Sequence, residues 1–173
     1  ILFNASNYKM YTIDKDSLKP IWETNIGWRS NSAPYLYKGT FLSRNYQGEM
    51  SKVAQYDLNT GAKIRELPFE SINSKPYFEN QIMYGTAVAD GGKLLAYDLE
   101  QNKVIWQKNI GHGVDFQPVY LKNNIIANAE DDNWFAIDYN GNLLEAKSKK
   151  RTYLDCTVFA VKKYKFLTHN GKE

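Results

Sequence analysis

Pro34-Tyr35-Leu36-Tyr37-Lys38, Pro76-Tyr77-Phe78-Glu79-Asn80 and Pro118-Val119-Tyr120-Leu121-Lys122 are three versions of one short segment, and their prolines lie 42 residues apart. Each reads as the opening of a β-strand. Proline is tolerated at a strand's first residue, where its missing N–H takes no part in the ladder. A degenerate fourth copy is Thr157-Val158-Phe159-Ala160-Val161-Lys162.

Two further anchors run in the same register. Tyr11-Thr12-Ile13-Asp14, Ala54-Gln55-Tyr56-Asp57, Leu95-Ala96-Tyr97-Asp98 and Phe135-Ala136-Ile137-Asp138 each end an apolar stretch in aspartate, at spacings of 43, 41 and 40. Trp22-Glu23-Thr24-Asn25-Ile26-Gly27 and Trp106-Gln107-Lys108-Asn109-Ile110-Gly111 share W-x-x-N-I-G and lie two periods, 84 residues, apart. Helical repeats of similar length need apolar residues at 3.6 spacing. These segments alternate with period two, or form short apolar runs broken by Asn, Asp and Gly. A 40–45-residue period with four short strands is the pattern of a β-propeller blade.

Within each repeat, strand A follows the proline and strand B follows a Lys/Asn/Gly turn, as in Ile82-Met83-Tyr84-Gly85. Strand C ends in the aspartate. Strand D carries the tryptophan after a turn such as Asn59-Thr60-Gly61, whose residues tolerate positive φ. The chain thus reads B-C-D, three A-B-C-D sets, then A-B, which predicts 17 strands in one all-β domain over residues 1–173. Pairing the last A strand with the first B-C-D set closes a ring of about four four-stranded antiparallel blades. That closed ring is the expectation over an open piece of a larger propeller, because an arc leaves two long strand edges bare.

The repeat resembles the PQQ-like β-propeller unit, shared by quinoprotein dehydrogenases and by non-catalytic outer-membrane assembly lipoproteins. The pattern is roughly A-x-D-x-x-T-G-K-x-x-W. The third repeat fits best, through Ala96, Asp98, Lys103 and Trp106, with Asn102 at the usual glycine. The first keeps Asp14, Lys19 and Trp22. The second keeps Asp57, Thr60 and Gly61 but has Arg65 for Trp, and the fourth keeps Ala136 and Asp138 on a turn one residue shorter. The resemblance implies that the tryptophans pack between blades and that these residues are structural. The aspartates are expected to accept from turn N–H groups.

Composition narrows the chemistry. Aromatic residues make up 14% of the chain, with 13 Tyr, which favours pleated, half-buried surfaces. The formal charge of +3 is mild, and no run of five like charges points to nucleic acid. Lys147-Ser148-Lys149-Lys150-Arg151 reads as a solvated loop. Cys156 is alone, so there is no internal disulfide, and nothing pairs it with His112 or His169. No 18-residue apolar run predicts a membrane span. No metalloprotease, zinc-finger, nucleophile-elbow or phosphate-loop motif occurs. A quinoprotein needs about eight blades, Ca²⁺ ligands and a stacking Trp that cannot be placed on this chain. The expectation is no enzyme, no cofactor and no metal.

What remains is uneven loop decoration, and loops carry function on rigid scaffolds. The D–A connections offer Trp28 and Arg29, His112, Asp115 and Phe116, and Tyr153. Trp and Arg are favoured anchors of protein interfaces. The B–C segments offer Arg44 and Tyr46, and the acidic run Glu130, Asp131 and Asp132. These eleven residues are the expected partner-binding set. The expected function is protein binding, as a toxin-capping inhibitor or immunity protein or as an assembly scaffold, by a monomer or heterocomplex. The alternatives are a fragment of an extracytoplasmic PQQ-like propeller, and a sugar- or small-ligand-binding propeller. The compartment is read as cytoplasmic, or periplasmic if a leader preceded Ile1.

Overall fold

The computed structural model describes residues 1–27, 33–47, 50–72, 74–88, 92–111, 117–128, 133–148, 159–161 and 165–167. They divide into two compact bodies, Ile1–Ile72 and Asn73–Glu173. All regular structure among them is β.

The first body opens with a three-stranded antiparallel sheet of β1 (Leu2–Asn4), β2 (Lys9–Ile13) and β3 (Pro20–Asn25). A four-stranded sheet follows, with β4 (Tyr35–Tyr37), β5 (Thr40–Gln47), β6 (Met50–Asp57) and β7 (Lys63–Glu66) in chain order. A two-residue strand, β8 (Ser71–Ile72), lies beside β6.

The second body repeats this plan. Strands β9 (Tyr77–Glu79), β10 (Ile82–Val88), β11 (Lys93–Asp98) and β12 (Lys103–Asn109) pair in succession. So do β13 (Val119–Tyr120), β14 (Asn124–Asn128), β15 (Asn133–Asp138) and β16 (Leu143–Ser148). An antiparallel pair of β17 (Phe159–Val161) and β18 (Lys165–Leu167) follows.

The 17 expected strands are therefore present, and β8 is an addition. Two residues long, β8 is below what periodicity detects. Its placement follows from burial, since Leu67, Phe69, Ser71 and Ile72 on this D–A connection are all buried. The hairpin β5–β6 also corrects the sequence reading. Arg44 to Gln47 continue the strand, with register from Thr40↔Asp57 to Gln47↔Met50. Likewise Lys147 and Ser148 belong to β16. Lys147 pairs with Glu145 at 3.1 Å and sits over the Trp134 ring.

Each C–D pair carries a register shift at one place, after Thr12, Gln55, Ala96 and Ala136. A bulge bends its strand and re-aims side chains. Here it precedes the residue–aspartate step that leads into the C–D turn. In the register just before it, Thr12 faces Trp22, Gln55 faces Arg65, Ala96 faces Trp106 and Ala136 faces Glu145.

Each body has its own core, built on the same repeat positions. Met10, Ile26, Phe41 and Tyr56 are buried in the first, with Trp22 and Leu58 packed against them. Leu94, Ile110, Ile125 and Ile137 hold the same repeat positions in the second, with Trp106 and Tyr139 alongside. In the first body Trp22, Phe41 and Tyr56 stack in sequence, with centroids 5.7 and 5.0 Å apart. The W-x-x-N-I-G motif is thus explained: the Trp reaches into the next repeat and the Ile fills the core.

Candidate functional site

The repeated polar residues are used by the fold. Asp14 Oδ1 accepts from the Ser17 amide at 2.7 Å and its hydroxyl at 2.8 Å. Asp57 does the same with Thr60, at 2.8 and 2.9 Å. Asp98 accepts from the Glu100 and Gln101 amides, and Asp138 from the Asn140 and Asn142 amides. Four carboxylates at one repeat position all close turns, as the sequence indicates. Hydrogen bonds from Ser17, Thr60 and Asn142 hold Asp14, Asp57 and Asp138 below the usual carboxylate range.

The tryptophans bridge consecutive repeats. Trp22 Nε1 donates to the Leu58 carbonyl at 3.1 Å, and Trp106 Nε1 to the Tyr139 carbonyl at 2.9 Å. Both acceptors follow the turn aspartate. Arg65 holds the Trp position in the second repeat, and its Nε donates to Gln55 Oε1 at 2.8 Å.

Of the eleven residues expected to bind a partner, Arg44 is exposed on β5, opposite Val53. Tyr46 lies two residues further along that strand, opposite Ser51. Both belong to the hairpin rather than to a loop. Trp28, Arg29, His112, Asp115, Phe116, Glu130, Asp131, Asp132 and Tyr153 fall outside the described residues.

Two features are not apparent from the sequence alone. The first is an exposed apolar residue on β3, β7, β12 and β16, one position before the Trp site of each repeat. Ile21, Ile64, Ile105 and Leu144 are 59%, 52%, 48% and 56% exposed. Strands β3, β7, β12 and β16 end their sheets, and such edges usually carry charge or are covered. Single exposed apolar residues are ordinary. One recurring at the same position in four repeats is a pattern, and aligning the repeats on the aspartate reveals it.

The second is a tyrosine cluster spanning the third and fourth repeats. Tyr77 on β9 faces Tyr84 across the strand pair, with centroids 6.3 Å apart. It stacks on Tyr120 at 5.4 Å and is tilted against Tyr139 at 6.0 Å. Tyr84 meets the edge of Tyr139 at 4.9 Å. The supporting rings are pinned: Tyr139 donates its hydroxyl to the Leu121 carbonyl at 2.7 Å, and Tyr120 donates to the Tyr84 carbonyl at 3.1 Å. Beside the cluster, the Gln117 side chain pairs with the Lys75 backbone at 2.8 and 2.9 Å, imitating a strand partner. Burial, then the charges of Tyr77 and Glu79, pushes the Tyr139 phenol up to about 12. Tyr84 is raised by burial first, then by Glu79.

Among the described residues no three His, Cys, Asp or Glu side chains gather as a metal site would require. Nor is any helix long and apolar enough to cross a membrane.

No protein-family model matches the sequence, and no curated protein matches it. Solved structures do. BamB from Moraxella catarrhalis is similar with a TM-score of 0.71 at 15% identity, over 96% of this chain and 53% of that one. A europium-containing methanol dehydrogenase gives 0.68 at 12% identity, over 85% of this chain and 39% of that one. The quinohemoprotein alcohol dehydrogenase from Comamonas testosteroni gives 0.63 at 15%, over 85% and 33%. These likenesses establish the β-propeller fold. The chain spans about half the length of BamB and less of the two dehydrogenases.

Proposed function

We propose that this chain is a non-catalytic, protein-binding stretch of a PQQ-like β-propeller, serving an assembly role outside the cytoplasm. The observation carrying this reading is the apolar row that Ile21 and Ile64 of the first body and Ile105 and Leu144 of the second form when the repeats are aligned, each exposed on the edge strand of its own sheet. Fully burying such a side chain is worth about 1.5–3 kcal/mol, so covering a half-exposed one gains roughly half of that. A partner protein that covers both positions of one body collects that gain twice, which suits protein association better than small-molecule chemistry. The resemblance to BamB supports the extracytoplasmic assembly reading over the inhibitor or immunity role. The coverage of about half of that chain supports a portion of a larger propeller over a closed ring of four blades.

The test is photo-crosslinking in the native host, with the reactive residue placed in turn at Ile21, Ile64, Ile105 and Leu144. Lys15, exposed in the first C–D turn, serves as a polar control. One discrete protein trapped from at least two of the apolar positions supports the reading. Substrate-dependent dye reduction by the chain with added pyrroloquinoline quinone and Ca²⁺ would overturn its non-catalytic part. A crosslink pattern no different from that of Lys15 would overturn the binding part.

A further inference from the structure

We propose that Tyr77 and Glu79 form a docking site for an arginine side chain presented by a partner protein. This rests on the protein-binding reading above and names the chemistry of one contact.

Strand β9 sets the geometry. Residues two apart on a strand share a face and lie roughly 6.5–7 Å apart along it, so Tyr77 and Glu79 stand side by side. Tyr77 remains 37% exposed although three other tyrosine rings lie within 6.3 Å of it. Those rings support its orientation, since the Tyr120 and Tyr139 hydroxyls are tied to the Tyr84 and Leu121 carbonyls. The result is an ordered aromatic surface that reaches solvent. A platform already held in place loses little entropy on binding.

Glu79 decides what the platform takes. It is exposed, and no ammonium or guanidinium among the described residues pairs with it. Its charge adds to the rise of the Tyr84 and Tyr139 phenols, in keeping with its place on the same face of β9 as Tyr77. An aromatic face next to an unpaired carboxylate favours a cation with a flat apolar body. Guanidinium meets both demands: it stacks on an aromatic ring and presents a fork of N–H donors to a carboxylate. A lysine ammonium is more strongly hydrated and stacks less well. An apolar side chain would leave Glu79 beside it with nothing in exchange.

The experiment titrates the intact chain with a blocked Gly-Gly-Arg-Gly-Gly peptide while following tyrosine ring signals by NMR. Identical peptides with lysine or citrulline in place of arginine run alongside. The arginine peptide is expected to shift the Tyr77 ring signals saturably, with lysine weaker and citrulline inert. Glu79→Gln is expected to weaken arginine binding by about tenfold, and Tyr77→Leu to remove it. Amide signals away from β9 verify that both variants are folded. Equal binding of citrulline and arginine, or unchanged affinity in Glu79→Gln, would overturn the site. If no peptide binds while the apolar row still crosslinks to one protein, this contact falls and the protein-binding reading stands. If the peptide binds as described and the row crosslinks to nothing, the site stands without that row.

Discussion

The six-membered ring of Trp22 occupies the place where a Cβ on Gly61 would be. An added Cβ there would lie 2.5 Å from Trp22 Cε3, at a backbone φ of +71°. The pair recurs one body later, where a Cβ on Gly141 (φ +85°) would fall 2.7 Å from Trp106 Cγ. Each tryptophan of one repeat thus requires a glycine in the turn of the next. The glycine allows the ring to lie flat on the turn while the indole N–H reaches the carbonyl of Leu58 or Tyr139.

Gly61→Ala therefore combines a clash with a left-handed backbone, and costs about 3 kcal/mol by denaturant unfolding. Gly39 is the control. It has the same φ of +71° with nothing within 4 Å of its added Cβ, so Gly39→Ala costs about 1 kcal/mol. In a Trp22→Ala background the cost of Gly61→Ala should fall by about 1–2 kcal/mol, since the clash is gone. Equal costs for Gly61→Ala and Gly39→Ala would sink the argument.

Leu18 holds the corresponding turn position in the first repeat, with φ at +57° and its side chain largely exposed. A leucine pays a steric penalty in that conformation that glycine escapes and asparagine pays in part. The third repeat has Asn102 there, at φ +55°. Leu18→Gly or Leu18→Asn should raise stability by about 0.5–1 kcal/mol, measured by thermal or urea unfolding. A loss of stability in both variants would show that Leu18 makes contacts that outweigh its strain.

The strands, the turn aspartates and the Trp positions could be read from sequence because each repeats a local requirement. Asp57 must close a turn wherever strand C ends, and Trp22 and Trp106 answer the same packing demand 84 residues apart. The tyrosine cluster could not be read this way. Tyr77, Tyr84, Tyr120 and Tyr139 sit at different positions within their repeats and meet only because two sheets face each other. The apolar row hides for another reason. On an edge strand, Ile21 or Ile105 looks like ordinary β-propensity until its exposure is known. The sequence reads Arg44 and Tyr46 as part of a B–C connection, whereas the β5–β6 ladder runs on to Gln47.

The turn aspartates set the acid limb of stability. Asp14, Asp57 and Asp138 have folded pKa values below their unfolded ones, so each contributes stability that is fully present above about pH 4. That stability is lost as pH falls through the lowered folded values. Asp57→Asn keeps an oxygen acceptor for the Thr60 amide but cannot titrate. Its unfolding free energy should therefore fall less steeply than wild type between pH 5 and pH 3, at roughly one group's share. A parallel acid limb would mean that Asp57 is not among the groups that drive it.

The alkaline limb belongs to the tyrosines, and hydroxyl partners separate two of them. Tyr139 is raised to about 12, so the stability it contributes is present below about pH 10 and is lost as pH rises toward 12. Its hydroxyl donates to the Leu121 carbonyl, and Tyr139→Phe should cost about 1 kcal/mol at neutral pH. Tyr56 is the opposite case. Its ring is buried in the stack on Phe41, and its hydroxyl is buried without a hydrogen-bond partner among the described residues. Removing an unsatisfied buried hydroxyl relieves a desolvation penalty and keeps the ring contacts. Tyr56→Phe should then be neutral or up to about 1 kcal/mol more stable by urea unfolding. Destabilisation of Tyr56→Phe as large as that of Tyr139→Phe would show that the Tyr56 hydroxyl is bonded in solution.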